Sequence, residues 1–109
     1  MVLLFVKRLV PNGFAGITLY PFVILRNEKM RNNRVLINHE RIHLKQQIEM
    51  FIIPFFIWYG LEFLIRLIIE NDKHKAYRNI SFEREAYTND KNLNYLQDRK
   101  CWNFLKYLK

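Results

Sequence analysis

Residues 51–69 form a continuous hydrophobic stretch, FIIPFFIWYGLEFLIRLII, which constrains the fold more than any other part of the chain. As a helix it would be about 28 Å long, close to the thickness of a bilayer core. Glu62 and Arg66 interrupt it at an i,i+4 spacing that allows an ion pair, and Pro54 and Gly60 favour a bend. The stretch is therefore either a transmembrane span or a helix that is buried or lies at the membrane interface.

The composition indicates one folded domain, which we assign to residues 1–109. Half of the residues are hydrophobic, which excludes a disordered tail. Lys and Arg number 18 against 10 acidic residues, and the net charge of +8 favours an anionic partner such as a membrane surface. The basic residues are scattered without a base-reading motif, which argues against nucleic-acid binding. A single cysteine, Cys101, excludes an internal disulfide framework.

The N-terminal apolar run, residues 2–6, is too short for the core of a signal peptide, and no small-residue cleavage site follows it. We therefore expect a protein that is not secreted. Together with the hydrophobic stretch and the basic charge, this predicts association with a membrane, from its cytoplasmic side.

Only three Gly and three Pro interrupt the chain, which predicts a mainly helical α+β protein with a small β element, one edge strand or hairpin. The predicted elements are a strand over Ile17–Leu25 with Pro21 at an edge position, an amphipathic helix over residues 35–50, the hydrophobic helix over 51–69, a basic loop over 70–79 and a helix from an N-cap at Ser81 to about Gln97. On the first helix, His39 and His43 face away from the exposed polar stripe and into the protein.

The sequence His39-Glu40-Arg41-Ile42-His43 is an H-E-x-x-H motif. On a helix, positions i and i+4 lie on one face, so both imidazoles can bind one Zn²⁺. Glu40 follows the first histidine, where its carboxylate can act as general base toward a water that the metal activates. The alternative is a pair of histidines that only pack in the core, although two buried histidines beside a glutamate require polar partners.

Two histidines make an incomplete zinc site, because a catalytic zinc keeps three protein ligands. The downstream candidates for the third ligand are His74, Glu83 and Glu85, with Glu62 and Glu70 less favoured. His74 lies in a basic segment typical of a solvated turn. Glu83 and Glu85 lie at the start of the predicted helix over 81–97, and the helical period allows only one of them to face the metal.

The strand ITLYPFVIL followed by LINHERIHLKQQ resembles the zincin-type metallopeptidases of the gluzincin kind, and short bacterial proteins that carry this motif. FEREAY is similar to the E-x-x-A-D helix of the membrane peptidases that process CAAX proteins and of the β-lactam-sensor peptidases. The resemblance covers about 40% of the chain. It implies a zincin-like fold with His39 and His43 as zinc ligands, Glu40 as general base and Glu83 as third ligand. It also implies a peptide or protein substrate, which we expect to lie along the edge strand.

The sequence departs from this family at Tyr87, where the family has an aspartate that orients a ligand histidine. Asp90, one turn further on, is a substitute. Glu85 is expected to meet its helix dipole or a basic side chain. Tyr77 or Tyr87 can stabilise the oxyanion of the reaction.

A zinc site also bears on the hydrophobic stretch. If residues 51–69 crossed a bilayer once, Glu83 would emerge on the side opposite the two histidines, so the site favours a buried or interfacial helix. The basic amphipathic segment over 99–109 can dock on anionic lipid or pack as an ordinary terminal helix. Two functions follow: a small membrane-associated zinc metallopeptidase, or a non-catalytic zinc-binding or small membrane protein with a structural role.

Overall fold

A computed structural model describes residues 1–108. Within these residues the protein is mainly helical with a small mixed sheet, as the α+β prediction requires. The elements are β1 (Val2–Phe5), β2 (Gly16–Leu19), β3 (Phe22–Leu25), α1 (Arg34–Glu49), α2 (Ile53–Glu70), α3 (Lys73–Arg78), α4 (Ser81–Asn89) and α5 (Tyr95–Asp98), with 3₁₀ turns over Lys7–Leu9, Glu28–Asn32 and Asn103–Tyr107.

The sheet has the strand order β1-β3-β2, with β1 parallel and β2 antiparallel to the central strand β3. The single strand predicted over Ile17–Leu25 is a hairpin, and Tyr20 and Pro21 form its turn. Pro21 is therefore not at an edge position within a strand, because a residue without an N–H suits a turn better than a ladder. The apolar N-terminal run, considered above only as a leader, forms β1.

Helix α1 confirms the amphipathic helix predicted over residues 35–50, with a shift of one residue at each end. Asn33 caps its start: the side-chain oxygen accepts a hydrogen bond from the backbone N–H of Leu36 at 3.1 Å. The inner face of α1 buries polar side chains beside Ile42, which is fully buried. The helix thus brings hydrogen-bonding groups into the interior, where each requires a partner.

The hydrophobic helix predicted over residues 51–69, with a bend near Pro54 or Gly60, is α2, and the chain turns at its start, just before Pro54. Phe51 and Ile52 have φ values of 59° and 65°, outside the helical region, and they separate α1 from α2. Pro54 lies in the first turn of α2, where no intrahelical N–H donor is needed. None of the helices in residues 1–108 is by itself long and apolar enough to cross a membrane; α1 and α2 reach that length only together, across a bend of 113°.

Glu62 and Arg66 do not form the ion pair that their spacing allows, because each has another partner. The Glu62 carboxylate accepts hydrogen bonds from the Trp58 indole at 2.7 Å and from the backbone N–H of Ser81 at 2.8 Å. Arg66 donates to the carbonyl of Leu108 at 2.9 Å. Ser81 is therefore the first residue of α4 and not its N-cap, and Glu62 supplies the negative charge that suits the start of that helix.

Two further predictions about the C-terminal half were wrong. The basic segment over 70–79 contains α3, a helix whose first turn is capped by Asp72, since the Asp72 carboxylate accepts from the Lys75 N–H at 3.0 Å. The helix predicted from Ser81 to about Gln97 is divided, because α4 ends at Asn89 and α5 follows only after a turn.

The main core joins α2, α4 and the C-terminal segment. Phe82 and Phe104 are fully buried, and their rings lie 4.4 Å apart between centroids. Phe55 lies at the same distance from Phe82 on the α2 side. A second cluster, around Val23, Leu25 and Leu44, joins the sheet to α1. The C-terminal segment therefore packs on the core through Phe104, as one of the two alternatives for it requires.

We expect Phe104→Ala to lower the free energy of unfolding by about 3–5 kcal/mol, because it removes a fully buried ring from the main core. Leu105→Ala, at a neighbouring position that is 44% exposed, is the matched control and should change it by less than about 1 kcal/mol. Urea unfolding followed by circular dichroism measures both. Equal, small losses would show that the C-terminal segment does not pack on the core.

Candidate metal centre

Helix α1 presents His39 and His43 on its buried face, one turn apart, as the i,i+4 spacing predicts. Their Nε2 atoms lie 3.1 Å apart. Both side chains are almost fully buried, at 5% and 6% exposure, so water does not satisfy their nitrogen atoms.

Helix α4 brings the Glu83 carboxylate to the same point. Glu83 Oε1 lies 3.3 Å from His39 Nε2 and 3.0 Å from His43 Nε2. Ligand atoms at zinc distances in a tetrahedral arrangement are about 3.3 Å from one another. The three atoms therefore have the mutual spacing of three ligands around one small metal ion, and these residues form a metal-compatible group.

The second nitrogen of each histidine ring and the second carboxylate oxygen of Glu83 have partners of their own. His39 Nδ1 contacts Asp90 Oδ2 at 3.1 Å, and His43 Nδ1 contacts Gln46 Oε1 at 2.8 Å. Glu83 Oε2 accepts a hydrogen bond from the hydroxyl of Tyr59 at 2.7 Å. Such outer partners fix the orientation and tautomer of metal ligands, as the carboxylate beside a zinc-bound histidine does. Because both Nδ1 atoms face acceptors, they carry the protons of the neutral rings, which leaves both Nε2 atoms with free electron pairs.

Three electron-pair donors thus converge at one buried point. Their mutual repulsion is relieved only by a cation between them, either a proton or a metal ion. Burial alone would raise the pKa of Glu83, but the two histidines hold it well below its usual range. Burial alone would lower the pKa of His43, but the negative charge of Glu83 raises it to about 9. The geometry therefore favours a positive charge at this point.

Glu85 lies outside this group and supports it through Gln46, which contacts His43. Its carboxylate forms a buried ion pair with Arg99 and accepts hydrogen bonds from Tyr95 at 2.6 Å and from Gln46 Nε2 at 2.9 Å. Gln46 Nε2 also donates to the carbonyl of Phe82, which fixes the amide so that its oxygen faces the histidine. Burial would raise the pKa of Glu85, but the hydrogen bonds from Arg99 and Tyr95 lower it. The expectation that Glu85 meets a basic side chain is thereby confirmed.

Glu40 lies beside the metal-compatible group, at the edge of an open cleft of about 290 Å³. The cleft is lined by residues of α1, α3, α4 and the loop before β2, including Gly16, Asn33, His39, Glu40, Tyr77, Tyr87 and Asp90. Glu40 Oε2 accepts a hydrogen bond from the Thr18 hydroxyl at 2.5 Å. The strand β2 therefore holds the Glu40 carboxylate at the place where the cleft reaches the group of ligands.

Two tyrosines, Tyr77 and Tyr87, and a second histidine, His74, line the same cleft. The Tyr87 ring packs edge-on against His39, with 4.4 Å between centroids, and the hydroxyls of Tyr77 and Tyr87 are 2.8 Å apart. Burial and the nearby charge of Glu83 raise the pKa of Tyr77, so this hydroxyl remains a neutral hydrogen-bond donor. His74 is exposed on α3, in a helix and not in the turn that was expected, and the structure does not bring it to the metal-compatible group.

Sequence reasoning missed the outer partners Tyr59, Gln46 and Thr18. Tyr59 had a detectable signal, because a hydroxyl inside an otherwise apolar helix must find a partner. Gln46 follows His43 by three positions and so lies on the same face of α1, but an amide at that spacing is common on helices. Thr18 gave no signal, because its proximity to Glu40 depends on the packing of β2 against α1.

Comparison of the chain with protein-family models, curated proteins and solved structures gave no match in any of the three.

We expect Glu83→Gln to weaken Zn²⁺ binding by at least about tenfold, because it removes the charge of a carboxylate that faces both histidines. Glu85→Gln is the matched control: it can still accept from Gln46, so Zn²⁺ affinity should change less than about threefold. It should lower stability, because Arg99 then keeps only its ion pair with Glu49. Competitive titration of Zn²⁺ against a chromophoric chelator measures both variants.

The paired substitution His39→Ala/His43→Ala gives the baseline for that titration, and the unaltered protein should bind about one Zn²⁺ per chain. A large loss in Glu85→Gln with Glu83→Gln unaffected would exchange the roles of the two glutamates. Full zinc binding by the paired histidine variant would show that His39 and His43 are not zinc ligands.

Proposed function

We propose that this protein is a zinc-dependent metallopeptidase of zincin-like architecture, with α1 as the active-site helix, α4 as the third-ligand helix and β2 as the edge strand. The observation that carries the proposal is the convergence of His39, His43 and Glu83 on one buried point, with Glu40 beside it at an open cleft. A buried structural metal would require neither the cleft nor the additional carboxylate of Glu40 beside the ligands.

Zinc fits this donor set better than magnesium or calcium does. Two imidazole nitrogens and one carboxylate oxygen are a ligand combination of catalytic zinc, whereas magnesium and calcium prefer oxygen ligands alone. Bound zinc supplies a Lewis acid, which lowers the pKa of water and polarises a carbonyl group. Three protein ligands leave a fourth position, which the cleft can supply with water and substrate.

Glu40 is the general base of the proposed reaction. The Thr18 hydroxyl binds one oxygen of its carboxylate, Oε2, which leaves the other oxygen, Oε1, to accept a proton from the attacking water. Oxygen from that water then bonds to the peptide carbon, the carbon–nitrogen bond breaks, and Glu40 returns the proton to the leaving amine. Tyr77 and Tyr87 line the cleft with neutral hydroxyls that can donate to the oxygen of the carbonyl group.

The free edge of β2 offers a place for the backbone of a peptide substrate. Arg26 N–H donates to the carbonyl of Ala15 at 3.0 Å, which sets the alternation of hydrogen bonds between β2 and β3. By that alternation the N–H and C=O of Gly16 and the N–H of Thr18 point away from β3. Gly16 lines the cleft, and the strand therefore presents these groups next to Glu40.

Gln47 limits how far a substrate can pair along this edge. Its side chain donates to the carbonyl of Thr18 at 2.8 Å and accepts from the N–H of Tyr20 at 2.7 Å. These two backbone groups are thus already bonded within the protein. A pairing substrate is confined to the end of β2 that adjoins the cleft, which directs its backbone toward the metal-compatible group.

We expect Glu40→Gln to lower peptidase activity by at least about a hundredfold, because an amide cannot accept the proton, while Zn²⁺ affinity stays within about threefold. Glu28→Gln, an exposed glutamate in a 3₁₀ turn, is the control for the loss of one acidic charge and should change neither quantity. Hydrolysis of a mixed library of quenched fluorescent peptides measures activity, and zinc titration measures affinity.

Two results would contradict the proposal. Equal activity of Glu40→Gln and the unaltered protein would exclude Glu40 as base. A zinc-loaded protein that cleaves none of the peptides, with or without Glu40, would instead favour a non-catalytic zinc-binding protein.

A further inference from the structure

Helix α2 carries a continuous apolar surface, which we call the outer face of α2. Its members are all at least 40% exposed and lie on one side of the helix: Ile53, Phe56, Ile57, Leu61, Leu64, Ile65, Ile68 and Ile69. We infer that this face docks on an anionic lipid bilayer, with α2 lying in the plane of the membrane interface. The inference goes beyond the proposed reaction, because it rests on a surface that does not include the metal-compatible group.

The exposed side of α2 differs from that of an ordinary surface helix. A helix of a water-soluble domain turns its apolar stripe inward and its charges outward. Three polar side chains of α2 are bonded to the rest of the domain: Glu62 to Ser81, Tyr59 to Glu83, and Arg66 to the Leu108 carbonyl. The outer face is left with apolar side chains alone, which is the pattern of a helix surrounded by hydrocarbon on that side.

The absence of polar groups on the outer face distinguishes lipid from a protein partner. A protein–protein interface carries about one hydrogen bond per 100–200 Å² and a polar rim. No side chain of the outer face can donate or accept a hydrogen bond. Acyl chains require none, so lipid satisfies this surface completely, whereas a protein partner would find no polar group to bind.

Basic residues on the two segments that pack against α2 favour anionic headgroups. The C-terminal segment lies along α2, since the Trp102 ring is 6.5 Å from that of Trp58. This segment exposes Trp102 together with Lys100 and Lys106, a combination typical of the membrane interface. Helix α3 also packs against α2, and it exposes the basic residues Lys73, Lys75 and Arg78. The basic residues near a bilayer each contribute to binding of anionic lipid, as the net charge of +8 also favours.

The geometry favours an in-plane orientation. Helix α2 has 18 residues and is therefore about 27 Å long, but its inner side is covered by the core along Phe55, Tyr59 and Phe63. Only one side of the helix is thus available to hydrocarbon. A helix with one apolar side exposed and the other attached to a folded domain lies along the surface, with the apolar side directed into the acyl chains.

The test is co-sedimentation of the purified full chain with vesicles of phosphatidylcholine alone or of phosphatidylcholine with phosphatidylserine. The variant Ile65→Glu/Ile68→Glu alters the outer face at positions that are 56% and 83% exposed. The matched control, Leu9→Glu/Ile48→Glu, makes the same chemical change at exposed positions outside α2. Circular dichroism and Zn²⁺ titration of each protein verify the fold independently of lipid binding.

We expect the unaltered protein to bind the phosphatidylserine vesicles at least about tenfold more tightly than the neutral ones. The outer-face variant should lose at least about tenfold in affinity for phosphatidylserine vesicles, and the control should lose distinctly less, because both lower the net charge by two and only one places charge in the hydrocarbon. Equal losses in both variants would show that net charge alone causes binding. A second copy of the chain would be the occupant if the folded protein did not bind vesicles but formed dimers, and if the outer-face variant were monomeric. Either result overturns the inference.

Discussion

The contact of Glu83 Oε1 with two histidine Nε2 atoms is the interaction on which the rest of the structure depends. All three atoms are electron-pair donors, and they lie 3.0–3.3 Å apart in a buried place. A cation there stabilises the fold and its loss leaves three buried groups in mutual repulsion. Under the proposed function, metal binding and folding are coupled in this protein, as in other small domains whose ligands come from separate elements.

Three helices position the side chains that meet at that point. Helix α1 supplies both histidines, α4 supplies Glu83, and α2 supplies the Tyr59 hydroxyl that holds its second oxygen. The residue after α4, Asp90, holds one imidazole, and Gln46 holds the other. Most of the polar surface of α2 is thereby used inward. This explains why its outer face is apolar: the same helix serves the core on one side and, as inferred above, a lipid surface on the other.

The sequence predicted the parts of this arrangement that follow from periodicity. The i,i+4 spacing placed His39 and His43 on one buried face, and the resemblance of FEREAY to a third-ligand helix indicated Glu83, which the structure brings to the same point. What could not be predicted depends on long-range packing. The break at residues 51–52 requires positive φ in two residues without any preference for it, and Tyr59 finds its partner 24 positions away. Composition alone predicts neither the break nor the partner of Tyr59.

Crystallography of the zinc-loaded protein, with anomalous differences collected on both sides of the zinc absorption edge, tests the central claim most directly. The account predicts one strong peak per chain, about 2.0–2.2 Å from His39 Nε2, His43 Nε2 and Glu83 Oε1, with its fourth position open to the cleft beside Glu40. A peak at any other set of residues would contradict the account. Three ordered side chains with no peak between them at saturating zinc would contradict it as well.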